Sequence, residues 1–149
     1  MKQLTKISRS PDDTEQIAFE LGSKLKPPVL IGLNGPLGAG KTVFAKGIAD
    51  ALGVKELVTS PTFLGISEYY SGKIPFIHMD FYQKVTEAGK IEYFLKKPSV
   101  VLIEWANNFQ EVIGRSLNTD ISITIDFDIK NIENEQNRKI IIRYTKFSL

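Results

Sequence analysis

The stretch Gly35-Pro36-Leu37-Gly38-Ala39-Gly40-Lys41-Thr42 narrows the possible folds more than any other part of the chain. Glycine at alternate and next-but-two positions supplies backbone conformations that neither a strand nor a helix uses. Before it runs Val29–Leu33, short, apolar and β-branched; after it Phe44, Ile48 and Leu52 recur at helical spacing until Gly53. A buried strand that enters a glycine turn and leaves as a helix predicts an α/β fold with a parallel core.

The same spacing has a chemical reading. Backbone N–H groups from about Gly38 to Thr42 can point inward and donate to phosphate oxygens, and the following helix adds its positive N-terminal end. Lys41 supplies a point charge for the β- and γ-phosphates, and the Thr42 hydroxyl is a hard oxygen ligand for Mg²⁺. Every fixed position of G-x-x-x-x-G-K-[ST], the P-loop, is present. Gly35, Leu37, Gly38, Ala39, Gly40, Lys41 and Thr42, with Val43 beyond them, are therefore the candidate contacts of a purine nucleoside triphosphate.

Elsewhere, Ser10-Pro11-Asp12-Asp13 reads as a capped helix start, and Ile17, Leu21 and Leu25 extend that helix to about Lys26, before Pro27-Pro28. Strands are predicted at Phe63–Tyr70 and Ile74–Asp80 around the turn Ser71-Gly72-Lys73, and at Val100–Glu104. A short helix is predicted at Ile91–Leu95. Ile121–Phe127 and Lys139–Tyr144 form a closing pair of strands about the polar loop Asp128–Arg138, which adds antiparallel strands at one edge. There is no internal repeat or linker, and 149 residues fit one domain, 1–149.

Phosphate transfer to water needs an acid near the metal. Val100-Val101-Leu102-Ile103 followed by Glu104 has the form of a Walker B strand, and Asp80 ends another strand in the same way. Ligands of open α/β sheets gather at the carboxyl ends of the strands, so both acids are candidates, Glu104 ahead of Asp80. Ser60-Pro61-Thr62 is either a γ-phosphate-sensing loop or an ordinary turn. His78 reads as a core or edge residue, and Trp105 as a core aromatic or a wall of the nucleotide site.

Charge and composition exclude several classes. Net charge is +2 with no basic stripe, which argues against gripping nucleic acid alone. The chain has no Cys, so disulfides, thiolate metal sites and a Cys nucleophile are out. No apolar run suits a signal peptide or a membrane helix, and the cytoplasm is the expected location.

Four motifs in order, the loop Gly-x-Leu-Gly-Ala-Gly-Lys-Thr, Ser60-Pro61-Thr62-Phe63, His78-Met79-Asp80-Phe81-Tyr82 and Ile103-Glu104-Trp105, resemble the TsaE (YjeE) family. The resemblance spans about Leu30 to Trp105. It implies a P-loop NTPase fold, an ATP site with Mg²⁺, and a role beside the TsaB and TsaD proteins in threonylcarbamoyladenosine modification at position thirty-seven of tRNAs reading codons that start with A. By the same resemblance Lys41 binds phosphates, and Thr42 and Glu104 hold Mg²⁺ directly or through water. Asp80 orients the metal shell or the attacking water, Trp105 and Ser60–Thr62 border the site, and Asp13 or Thr14 approaches the adenine. The chain departs from the family at Pro36 (usually Asp), Val43 and Leu64 (usually Thr) and Gln83 (usually Arg).

Two other P-loop functions fit less well. A small kinase needs a lid with several Arg, whereas Arg9, Arg115, Arg138 and Arg143 do not cluster in the sequence; a GTPase commonly carries Asn-Lys-x-Asp, which is absent. A nucleotide-binding regulatory subunit with little hydrolysis stays open, because no internal arginine finger is expected near the P-loop.

Overall fold

The computed structural model describes residues 1–61, 65–82, 89–114, 116–130 and 134–145. Seven strands form one sheet: β1 (Lys2–Ser8), β2 (Val29–Asn34), β3 (Ile66–Tyr69), β4 (Phe76–Asp80), β5 (Val100–Glu104), β6 (Ile121–Phe127) and β7 (Arg138–Tyr144). Their order across the sheet is β1-β7-β6-β2-β5-β4-β3. The central pairs β6/β2, β2/β5 and β5/β4 are parallel; β1/β7, β7/β6 and β4/β3 are antiparallel. The expected parallel core is there, with antiparallel strands at both edges instead of one.

β5 is buried along its whole length and β2 up to its last residue, which is why they read as unbroken apolar runs. Alternate residues feed two cores. Ile31, Leu33, Phe76, Val100 and Leu102 pack with α1 (Pro11–Gly22) and α2 (Lys41–Ala51). Leu30, Ile77, Met79, Val101 and Ile103 pack with α3 (Lys90–Leu95) and α4 (Asn107–Ile113). This period of two has a functional consequence: His78 and Asp80 share the face of Phe76, and Glu104 shares that of Val100 and Leu102. All three therefore point to the side where α2 lies.

α1 begins as expected. Ser10 Oγ accepts from Asp13 N at 3.0 Å, Pro11 occupies the first turn, and Asp13 Oδ2 accepts from Arg9 N at 3.0 Å. It stops at Gly22, four residues earlier than predicted. The Ser23 hydroxyl donates to Phe19 O at 2.9 Å, competing with the helical ladder, while Leu25 still packs on the core from the turn that follows. α1 and α2 approach closely at Gly47, where a Cβ would lie 2.3 Å from Glu15 O and 2.6 Å from Ala18 Cβ.

β4 begins at Phe76 and not Ile74, because Pro75 has no N–H for the ladder and serves only as an acceptor, from Val100 N at 2.9 Å. α2 and α3 each start one residue before their predicted limits, and β3 starts at Ile66, with positions 63 and 64 of its predicted span outside the described residues. Two elements, β1 and α4, were not foreseen. β1 is exposed at every residue except Ser8 and carries little apolar pattern; its pairing with β7, from Lys2↔Tyr144 to Ser8↔Arg138, is what makes it a strand. Among the described residues, no helix is long and apolar enough to cross a membrane.

Candidate functional site

The glycine loop leaves β2 and enters α2 through Gly40, whose φ of +103° lies in the left-handed region that side chains disfavour. A tight turn, Ala39 N to Pro36 O at 3.1 Å, curls it over the sheet. Lys41 is only 6% exposed. Its Nζ donates to Gly35 O at 2.7 Å and Pro36 O at 2.9 Å and lies 4.1 Å from the centroid of the Trp105 ring. Burial pulls its pKa below the usual lysine value, against the opposing pull of Glu104 and Asp80.

Across the loop, the ends of β4 and β5 supply the acids. Asp80 and Glu104 are register partners on adjacent parallel strands. Thr42 Oγ1 donates to Glu104 Oε1 at 3.0 Å, joining residues 62 apart in sequence. The other oxygen, Glu104 Oε2, lies 2.8 Å from His78 Nε2. Asp80 accepts from Ser60 Oγ at 3.0 Å and from Tyr82 N at 2.9 Å. Ser60 thus belongs to the constellation; Thr62 lies outside the described residues, as do Leu64 and Gln83.

Trp105 lines the cavity beside the loop and also packs, partly buried, against the core that contains Met79 and Ile103. It has φ +57°, a conformation that costs an L-residue roughly 1–2 kcal/mol, and its N–H donates to Leu33 O at 2.9 Å. That turn swings the indole over Lys41 and against Tyr82, with ring centroids 4.9 Å apart. Strain at this position is consistent with a residue placed for contact with a ligand.

Two cavities meet at the loop. The larger, about 480 Å³, is lined by Leu37, Gly38, Gly40, Lys41, Thr42, Val43, Ser60, Asp80, Tyr82, Glu104 and Trp105. The smaller, about 140 Å³, is lined by Ser10, Pro11, Thr14, Gly38, Ala39, Gly40, Val43, Gln136 and Arg138. Gly38, Gly40 and Val43 border both, so the cavities form one trough across the loop. Thr14 is at the smaller cavity, with its hydroxyl 2.6 Å from Ser8 Oγ. Asp13 is not part of that lining; its carboxylate is spent on the helix cap.

Arg138, which the sequence reading did not place at the site, reaches the P-loop: its Nε donates to Ala39 O at 3.2 Å and its terminal nitrogen to Gly38 O at 3.4 Å. The guanidinium also stacks on Phe127, 4.6 Å from the ring centroid, and donates to Glu135 O and Asn137 O. Nothing local in the sequence signals this, because the contact spans 99 residues and is made by the β6–β7 hairpin. Arg138 reaches the loop's carbonyls and lines the smaller cavity, not the larger one.

A helix-initiating lysine and threonine facing strand-end acids across a glycine loop, on a sheet with a parallel core, define a P-loop nucleotide-binding protein. The family model of the threonylcarbamoyl adenosine biosynthesis protein TsaE matches residues 8–140. The chain belongs to the TsaE family. It is 43% identical over 114 residues to the TsaE protein of Bacillus subtilis, covering 74% of this chain and 72% of that one. With that of Haemophilus influenzae it shares 33% over 138 residues, 83% and 84% of the two chains. The crystal structure of Bacillus subtilis YdiB superposes with a TM-score of 0.77 at 31% identity, covering 95% of this chain and 84% of that one.

Proposed function

We propose that the chain, acting as one domain over 1–149, is a cytoplasmic Mg²⁺-dependent ATPase. In this reading it supports threonylcarbamoyladenosine formation at position thirty-seven of tRNA as an accessory to a TsaB–TsaD complex. The observation that carries it is the Thr42–Glu104 hydrogen bond, which brings the P-loop hydroxyl and the strand-end carboxylate to 3.0 Å. Two hard oxygens at that separation, beside Asp80, suit Mg²⁺, which typically takes one or two protein ligands and fills its octahedron with water and phosphate oxygens. That mode needs no cluster of three ligating side chains, and none occurs among the described residues.

In this reading Lys41 exchanges its carbonyl partners for the β- and γ-phosphates, and the N–H groups of Gly38–Thr42 hold the remaining oxygens. Thr42 and Glu104 would hold the metal, which would supply positive charge against that developing on the transferring phosphoryl group. Asp80, fixed by Ser60 and the Tyr82 N–H, orients the metal's water or the attacking water. The smaller cavity between Thr14, Val43 and Arg138 takes the base. Slow hydrolysis by the free protein is expected, since Arg138 is committed to the loop's backbone.

The test is ATP turnover by the purified protein, alone and with its own TsaB–TsaD pair, for wild type, Lys41→Ala and Glu104→Ala. Turnover that rises with the pair, and that both substitutions lower by orders of magnitude, is the expected result. Glu104→Ala turning over at the wild-type rate would remove the acid from the mechanism. No response to the pair would leave the site and sink the pathway assignment.

A further inference from the structure

His78 is completely buried in the middle of β4, and it is the only histidine in the chain. Its two nitrogens have unequal surroundings. Nε2 meets Glu104 Oε2 at 2.8 Å, whereas among the described residues Nδ1 has no partner. On the same face of the sheet, Phe76 and Leu102, the register partner of His78, are apolar and fully buried, and the Phe76 ring stacks at 6.0 Å. A proton on Nδ1 would be a buried donor without an acceptor; on Nε2 it serves the carboxylate. Glu104 is thereby held at both oxygens, by the ring through Oε2 and by Thr42 through Oε1.

We propose that His78 is a positioning residue for the divalent cation: its Nε2–H ties Glu104 Oε2 and so presents Oε1 to the metal beside the Thr42 hydroxyl. This rests on the Mg²⁺–ATP reading above. The physical reason is general. A carboxylate that must ligate through one oxygen gains affinity when its other oxygen is already bonded, because rotation about its terminal torsion is removed before the metal arrives, and loss of such a partner typically costs 10–100-fold in metal affinity. The ring is fully buried and outside the lining of the larger cavity, so it meets the site through Glu104.

Trp105 is the only tryptophan and lies at the site, so its fluorescence reports nucleotide binding without a label. ADP affinity is measured in EDTA and across a Mg²⁺ titration for wild type, Glu104→Gln, His78→Leu and His78→Gln. The glutamine amide can donate from near the Nε2 position; leucine fills the space without a donor. Expected is a 10–100-fold rise in the Mg²⁺ concentration needed by His78→Leu. Metal-free ADP affinity should stay the same, and His78→Gln should recover most of the loss. Equal Mg²⁺ requirements in His78→Leu and wild type would overturn the proposal, as would a His78→Gln defect equal to that of leucine. If Glu104→Gln matches wild type, the underlying metal reading has failed instead. Should His78→Leu not fold, the wild-type ring decides: ¹⁵N shifts of the single histidine are expected to show the proton on Nε2, and a proton on Nδ1 would refute the assignment.

Discussion

Lys41, the proposed phosphate-binding lysine, sits between two opposing influences. Burial favours its neutral form and the two acids favour its charged form, with burial the larger influence. A lysine whose folded pKa lies below its unfolded one sheds its proton earlier in the folded chain, so its contribution to stability grows as pH rises through that window. Binding runs the other way, since a phosphate wants the ammonium. Nucleotide affinity is therefore expected to fall at a pH below the ordinary lysine range of about 10.4. The fall should vanish in Lys41→Arg, which stays charged; affinities measured at several alkaline pH values check both statements. Arg138 gives a second prediction at this scale. Arg138→Ala, and also Arg138→Lys, should weaken nucleotide binding, because a lysine cannot donate to two neighbouring carbonyls from one planar fork. A lysine variant with wild-type affinity would show that charge alone matters there.

At the scale of elements, the site depends on how α2 is seated. Gly47→Ala would push its Cβ into the backbone of α1 at Glu15 and cannot be relieved by a rotamer. About 1–3 kcal/mol of lost stability is expected, read as a lower denaturant midpoint, with weaker nucleotide binding because Lys41 and Thr42 begin the same helix. Nearby, Glu15 has its pKa raised, first by a hydrogen bond shared with the Asp50 side chain and then by burial, against the pull of Lys46. A carboxyl raised on folding stabilises the fold below its unfolded pKa, and that contribution is lost as pH rises through the folded value. Glu15→Gln should thus be more stable than wild type near neutral pH, by no more than about 0.5 kcal/mol at this half-buried, solvent-screened place, and equal to it in acid. Melting temperatures at pH 4 and pH 7 check the sign.

For the whole molecule, the parts legible in the sequence are those whose neighbours in space are also periodic in sequence. Val29–Leu33 and Val100–Glu104 were readable because central parallel strands are apolar on both faces, and the period of two then carried Asp80 and Glu104 to the P-loop face. β1 was not readable, being exposed and polar and defined by a partner at the far end of the chain. Nor was the reach of Arg138, which depends on a hairpin register that ties Phe127 to Arg138. That Trp105 both packs on the core and lines the cavity depends on a backbone turn with positive φ, which has no signal in the sequence.

The lining of the smaller cavity comes from three distant stretches: Ser10, Pro11 and Thr14 behind β1, the glycine loop, and Gln136 with Arg138 at the start of β7. β7 lies between β1 and β6, so the first strand to leave the ribosome waits for the last before it has a neighbour. A nascent chain that has already made its glycine loop also holds Ser10, Pro11 and Thr14, but it lacks the third wall, Gln136 and Arg138. If the smaller cavity takes part in nucleotide binding, a chain truncated before Gln136 is expected to bind ATP more weakly than the full chain and to gain less stabilisation from it.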